Sequence, residues 1–266
     1  MHIVSSLTKS PIRHLTGVIT TLLIACASPA RAQVNIEVLR RDDPPLGRSG
    51  SLGGDFTLRT GNVDYVQLGF SGRHYVVTDN QTRLIVGNGG IGLLGRNRFA
   101  SSGLLHYRRT YNPRDWVSPE WYGQANYDRA QLLSFRVVGG GGIRTAVVRG
   151  PWGQFGAGMA LMLEHERLEL PDSALHPHQT TAVRSSSFLT LRVVSEGGFV
   201  VTSTTYLQPE LRALRDVRVL ENVRLASPIS QKIALTVSFN LRYDSRPPDG
   251  VRRLDTALRM GVTYTY

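Results

Sequence analysis

The sequence predicts an all-β fold, a transmembrane antiparallel up-and-down β-barrel of about twelve strands. Residues 254–266 carry this prediction, because every second residue there is mostly apolar while the residues between them are mostly polar or small. Segment 233–243 alternates in the same way. A closing strand of a bacterial outer-membrane barrel has this pattern and an interfacial aromatic residue. The closing-strand residues on the apolar face are Leu258, Met260, Val262, Tyr264 and the terminal Tyr266.

The number of alternating segments supports a barrel. About twelve follow one another from Ser51 onward, and bacterial single-chain barrels have an even number of strands. Long connections and short turns fall at opposite ends, as outer-membrane barrels require. The long connections cover residues 168–183, 208–215 and 244–253, and the short turns cover residues 78–81, 195–198 and 226–231. If the N-terminus is periplasmic, the long connections lie outside the cell.

The composition excludes some classes of protein. The chain has 266 residues, of which 41% are hydrophobic, and beyond the N-terminus it has no apolar run long enough for a membrane helix. The formal net charge is +11. The basic residues are almost all arginine and are spread along the chain without a nucleic-acid-binding motif, so we expect no nucleic-acid partner.

The N-terminus is predicted to be a signal peptide, residues 1–32. Basic residues precede the apolar segment Leu15–Ala27, and Ala30 and Ala32 form a small-residue cleavage site. The alternative is acylation at Cys26, because the residues before it resemble a lipobox. We expect residues 33–50 to be a periplasmic lead-in segment and residues 51–266 to be the barrel. The predicted location is the outer membrane, after export through the inner membrane.

Charged and polar residues on the opposite face of the strands are the candidates for a lumen. Isolated buried charges are costly, so Glu164 and Glu166 are expected to pair with arginines such as Arg136 or Arg192. The lumen-facing candidates are Arg73, His106, Arg108, Glu120, Arg136, Glu164, Glu166, Arg192, Arg242 and Arg259.

A glycine-rich segment matches a nucleotide-binding pattern. Residues 87–92 fit G-x-G-x-x-G, but a turn follows where that site requires a helix. We therefore interpret these glycines as part of a curved strand.

Catalytic and metal-binding residues are not expected. A lipid-modifying hydrolase would need serine, histidine and an acid close together. The candidates are His106, His165, residues 185–187, Glu164 and Glu166, and no spacing links them. His176 and His178 lack a carboxylate partner, so they are weak metal ligands. We expect no cofactor.

Several short stretches resemble the outer-membrane family named domain of unknown function 481, which includes salt-induced outer-membrane proteins. The resembling stretches are residues 60–62, 112–116, 127–129 with Leu132 and Arg136, and 156–166. The resemblance implies an outer-membrane β-barrel. The family has no established activity, so it implies no catalytic residue. The net positive charge of this chain is larger than we would expect for a member of that family.

The expected function is a narrow channel or a structural element of the envelope with an arginine-rich lumen. The alternatives are an outer-membrane lipid-modifying hydrolase and a soluble periplasmic β-protein. The expected partners are outer-membrane lipid, lipopolysaccharide, and the barrel-assembly machinery, which would bind the C-terminal strand. An excess of arginine in the lumen would favour anions.

Overall fold

A computed structural model describes residues 44–59, 65–95, 97–113 and 115–266, and these residues form one closed antiparallel barrel. Each strand pairs with the next along the chain, and the last strand pairs with the first. The predicted fold class is therefore confirmed, with twelve strands. The strands are β1 Gly47–Arg59, β2 Tyr65–Val77, β3 Gln81–Leu94, β4 Asn97–Tyr111, β5 Val117–Asp128, β6 Leu133–Gly150, β7 Gly153–Leu168, β8 Gln179–Val194, β9 Val200–Pro209, β10 Val217–Pro228, β11 Ile233–Asp244 and β12 Leu254–Thr265.

The only helix in the described part of the chain is a single 3-10 turn, Arg129–Gln131, between β5 and β6. No helix among the described residues is long and apolar enough to cross a membrane.

The wall has an apolar outer face and a largely polar inner face, because successive side chains of a strand point to opposite sides. On β12, Met260 is 73% exposed, and on β2, Phe70 is 66% exposed. On β7, Glu164 is 1% exposed although it lies between the exposed residues Leu163 and His165. Apolar side chains outside and buried charges inside are the pattern of a barrel in lipid.

Long and short connections lie at opposite ends of the barrel. The long-loop end carries residues 169–178, 210–216 and 245–253, and the short-turn end carries residues 78–80 and 229–232. Because the strands run up and down, both ends of the barrel sequence, Gly47 and Thr265, lie at the short-turn end. This arrangement has the asymmetry that the sequence predicted.

Two details differ from the sequence prediction or refine it. β1 begins at Gly47, which pairs with Val77, so residues 47–50 belong to the barrel and not to a lead-in segment. The pattern of alternating apolar residues did not include residues 47–50, because Gly-Arg-Ser-Gly contains no apolar residue. Alternation along β6 predicts that Leu133 faces outward with Phe135, but Leu133 is buried, because a β-bulge between the two residues shifts the strand by one residue.

The glycine-rich segment, residues 87–92, lies wholly within β3, as its interpretation as a strand requires. The predicted signal peptide, Cys26 and residues 33–43 lie outside the described residues.

Candidate functional site: the barrel interior

The candidate site is the inner surface of the barrel, and the predicted lumen residues occupy inward positions of their strands. His106, Arg108 and Glu120 are buried. Arg73 and Arg259 are partly buried, and the Arg73 Nε donates a hydrogen bond of 2.6 Å to Ser51. The other inward positions from the prediction are Arg136, Glu164, Glu166, Arg192 and Arg242. A role in conduction stays a prediction.

Glu164 on β7 is the centre of a buried group of charges near the long-loop end. Its carboxylate binds the guanidinium of Arg136 on the neighbouring strand β6. It also lies 2.5 Å from Nη1 of Arg218 and 3.5 Å from Nε of Arg184. Arg218 is on β10, which does not adjoin β7 in the sheet, so this ion pair crosses the barrel interior.

Arg218 extends the group to two further carboxylates. Its Nε lies 2.8 Å from Asp244, and its Nη2 lies 3.2 Å from Glu166. Arg242 lies 3.7 Å from Asp244 and also donates a hydrogen bond to Gln131 in the 3-10 turn. These contacts link β6, β7, β8, β10 and β11. The ion-pair network consists of Arg136, Arg184, Arg218 and Arg242 with Glu164, Glu166, Asp216 and Asp244.

The formal charges of the ion-pair network cancel, since four arginines meet four carboxylates. Buried charges of this kind are stable only when each has partners with good geometry. Arg184, for example, lies 2.9 Å from Asp216 and also donates to the backbone carbonyl of Gln208. The network therefore fills and braces this half of the interior, and it leaves little net charge to act on a solute.

A second packed region adjoins the network. Arg108 lies 3.5 Å from Glu120, and its guanidinium lies 5.4 Å from the ring centre of Tyr122. His106 stacks on the same ring, with 5.7 Å between the ring centres, and its Nδ1 lies 3.3 Å from Gln124. Only a cavity of about 50 Å³ remains between these side chains.

The open part of the interior lies on the side of β1, β2, β11 and β12. A cavity of about 180 Å³ is found there. Its polar lining includes Ser71, Asn88, Asn126 and Asn240, and its cationic lining consists of Arg224, Arg242 and Arg259. Arg224 donates a hydrogen bond of 2.8 Å to the hydroxyl of Thr263. Small and uncharged polar side chains leave space here that the ion-pair network occupies on the opposite side.

The structure pairs one of the two arginines that the sequence proposed for the glutamates. Arg136 binds Glu164, as expected. Arg192 lies opposite Gln154 on β7, ten residues from Glu164 along that strand, so it pairs with neither glutamate. At about 3.3 Å per residue, this separation exceeds the reach of an arginine side chain.

Sequence reasoning missed half of the ion-pair network. Arg184 and Arg218 occupy inward positions that alternate with outward valines, and this signal was visible in the sequence. Asp216 and Asp244 lie at the edges of connections, where an acidic residue is typical of a loop. Only the fold brings these acids to the arginines.

The hydrolase candidates do not come together. His106 lies inside the barrel, whereas His165 lies on the outer face with its Nδ1 2.8 Å from the hydroxyl of Thr181. Glu164 and Glu166 are committed to arginines of the ion-pair network. Ser186 is buried and accepts a hydrogen bond from Gln208. In the described part of the chain, no group of three or more histidine, cysteine, aspartate or glutamate residues is arranged to hold a metal ion.

Comparison with protein families gives one match. The model of the family described as "Protein of unknown function, DUF481" matches residues 96–266. No curated protein resembles the chain at a significant level.

Several solved structures are similar to the chain at low sequence identity. The translocator domain of the autotransporter NalP from Neisseria meningitidis is 12% identical, with a TM-score of 0.43, and the match covers 85% of this chain and 90% of that one. The NanC porin is 8% identical, with a TM-score of 0.48, over 81% of this chain and 98% of the porin. The KdgM porin is 9% identical, with a TM-score of 0.42, over 82% and 99%.

Proposed function

This chain belongs to the DUF481 family, and we propose that it is a narrow, anion-preferring channel of the bacterial outer membrane. The cavity of about 180 Å³ beside the ion-pair network carries this proposal. It opens into the barrel interior, and its lining has both polar and apolar side chains, whereas the ion-pair network and the region around Tyr122 are filled by paired charges and aromatic rings. A solute that crosses the barrel would therefore pass along the side of β1, β2, β11 and β12.

The preference for anions follows from the distribution of the arginines. The ion-pair network is neutral, so its arginines contribute little to selectivity. Arg224 and Arg259 line the open cavity, and Arg73 on β2 lies within electrostatic range of Arg224. The carboxylates Asp55 and Asp255 also line the cavity and moderate this excess. Fixed charges along a narrow path with low-dielectric walls concentrate ions of the opposite sign.

The location in the outer membrane is inferred from the wall. Exposed large apolar side chains occur on the outward face of every strand except β10, including Leu105, Met159, Leu235 and Met260. Export by a cleaved signal peptide, recognition of the closing strand by the barrel-assembly machinery, and contact with lipopolysaccharide complete this proposal. In water, the barrel would expose a large apolar surface, which a soluble protein avoids.

Two measurements test the channel. The folded protein should migrate differently on a gel before and after boiling, and it should conduct in a planar bilayer. Replacement of Arg224 and Arg259 by glutamine should lower the anion-to-cation permeability ratio about fivefold, if the lost charges contribute about 1 kcal/mol. The control is Arg212→Gln, an exposed arginine in a loop at the long-loop end. A conducting double variant with unchanged selectivity would contradict the assignment of the path.

The ion-pair network favours a second candidate function, that of a structural element. It links five strands across the interior and closes that half to solutes. A barrel that shows the heat-dependent gel shift but no conductance in the bilayer would support the structural role.

A further inference from the structure

The seam between β1 and β12 is paired over only part of its length. Four residue pairs of β1 and β12 form this ladder among the described residues, from Ser51 with Thr265 to Gly54 with Val262, and Gly50 exchanges backbone hydrogen bonds with Tyr266 at its end. β1 pairs with β2 along its whole length, and β12 pairs with β11 as far as Leu254. Residues 55–59 and 254–261 therefore present their backbone edges to each other without a ladder, in the half of the seam nearer the long-loop end.

An unpaired strand edge is costly in lipid. Backbone groups have no water to bind in the hydrocarbon region, so irregular backbone persists there only where it lines a cavity or is buried in protein. The cavity of about 180 Å³ lies at this position and is lined by Gly53, Gly54, Gly261 and Asp255 from the two strands. The opening of the seam and the cavity are thus one feature.

The cavity reaches the outer face of the wall. Its lining includes Phe70 and Met260, which are 66% and 73% exposed and point outward from β2 and β12. Gly261, where the open part begins on β12, has no side chain to separate the interior from the outside. At Gly261, an added Cβ would lie 2.9 Å from the backbone oxygen of Gly54, so the strands are still close where the ladder ends.

We propose that the open part of the β1–β12 seam is a lateral portal, through which an amphiphile with an anionic head group binds from the membrane. Its acyl chain stays in the lipid beside Phe70 and Met260, and its head group occupies the cavity. Arg259 and Arg224 line the cavity and supply cationic donors, and Asn240 supplies an amide. Arg242 also lines it but is paired with Asp244, and the carboxylates Asp55 and Asp255 lie in the same lining. Guanidinium groups form strong charge-assisted hydrogen bonds with phosphate and carboxylate oxygens. This portal does not depend on conduction along the barrel axis.

A photoreactive residue placed at the cavity tests the portal. The protein is reconstituted in vesicles of phosphatidylcholine and phosphatidylglycerol, with p-benzoylphenylalanine replacing Ala257, which faces the cavity from β12. Gln124, which faces the smaller cavity, is the interior control, and outward-facing Leu258 is the lipid control. Mass spectrometry should find acyl-containing adducts at positions 257 and 258 and none at position 124.

The head group is tested in the same vesicles. Phosphatidylglycerol should be enriched in the adducts at position 257 relative to those at 258, and Arg259→Gln should reduce this enrichment about fivefold. Adducts with equal shares of both lipids would overturn the anionic head group. A cavity that binds inorganic phosphate but gives no acyl adduct at position 257 would overturn the portal.

A disulfide across the seam tests the route of entry. Asp55→Cys with Gly261→Cys joins the strands where the ladder ends, because an added Cβ at Gly261 would lie 3.5 Å from the Asp55 Cβ, within the range of a disulfide. The matched control, Leu52→Cys with Tyr264→Cys, joins a pair that is already in the ladder. Oxidation of the first pair should reduce the adduct at position 257 to the level at position 124, while the control keeps it. If the adduct at position 257 persists after the first cysteine pair is oxidised, the portal is contradicted. Conductance is measured on both. Conduction without an adduct at position 257 would support the channel and overturn the portal, so the two proposals fail separately.

Discussion

The terminal residue Tyr266 closes the barrel on Gly50. Its backbone amide donates a hydrogen bond of 3.0 Å to the Gly50 carbonyl, and its carbonyl accepts one of 3.1 Å from the Gly50 amide. Its ring lies over Gly50 and stacks on His74, with 6.4 Å between the ring centres. The aromatic end of the closing strand, which first indicated a barrel, thus covers a glycine at the seam.

Gly50 should not tolerate a larger side chain. An added Cβ would lie 2.5 Å from the backbone oxygen of Arg73 and would also collide with the Tyr266 ring. The backbone contact cannot be relieved by rotating a side chain, so we expect Gly50→Ala to lower the free energy of unfolding by about 1–3 kcal/mol.

The temperature at which the folded band disappears from a gel measures this effect. Gly123→Ala is the matched control, because an added Cβ there meets nothing within 4 Å. Equal stability of the two variants would show that closure at Gly50 does not limit the stability of the barrel.

Arg218 should be the most costly arginine to remove. Its guanidinium contacts Glu164, Glu166 and Asp244, and all three carboxylates are buried. Arg218→Met would leave uncompensated negative charge inside the barrel, with an expected loss of about 3–5 kcal/mol. Arg212→Met, at an exposed position of a loop, should change little.

A second substitution separates charge from packing in the Arg218 variant. Glu164→Gln removes one of the stranded charges, so the double variant should recover part of the stability lost in Arg218→Met, as measured by denaturant unfolding in detergent. If the two substitutions add their costs independently, the ion-pair network does not act as a unit.

The alternation of side chains predicted the wall because the strand period of two is a local property of the backbone. Partners across the interior could not be predicted in this way, since the contact between Glu164 and Arg218 joins β7 and β10 and depends on the register of every strand between them. Asp244 precedes a proline-rich loop, and the sequence alone gives it no reason to lie inside. The bulge at Leu133 also reversed one face locally.

Asp249 should couple two long loops in a pH-dependent way. Its Oδ2 accepts hydrogen bonds from the backbone amides of His176 and Leu175, at 2.9 and 2.5 Å. These bonds from His176 and then Leu175 favour the ionised form and hold the pKa of Asp249 below its usual value. A lowered pKa stabilises the docked loops above the ordinary pKa of aspartate, about 3.9, and the effect is lost as the pH falls through the lowered pKa.

Hydrogen exchange at the amides of Leu175 and His176 measures this coupling. Protection in the natural protein should be highest at neutral pH and should decline in acid. In Asp249→Asn it should be low throughout, so the variant corrects for the intrinsic pH dependence of exchange. The same protection in both proteins at neutral pH would exclude Asp249 as the link.

Glu221 should respond to removal in the opposite way to Arg218, although both lie on β10. It lies between the buried residues Leu220 and Asn222, so its side chain points to the outer, lipid-facing side. It accepts a hydrogen bond of 2.8 Å from Ser203 and another from Thr205, and both neighbours lie on β9. An acid facing lipid is unfavourable, but less so than a lysine or arginine.

Glu221→Leu should therefore keep or raise the stability of the barrel, by up to about 1 kcal/mol, because it exchanges a lipid-facing acid for an apolar side chain. Ser203 and Thr205 would lose their acceptor, which limits the gain. Denaturant unfolding in vesicles compares this variant with Arg218→Leu, a change of the same kind on the inner face. A loss of stability in Glu221→Leu as large as that in Arg218→Leu would show that the Glu221 side chain does not face lipid.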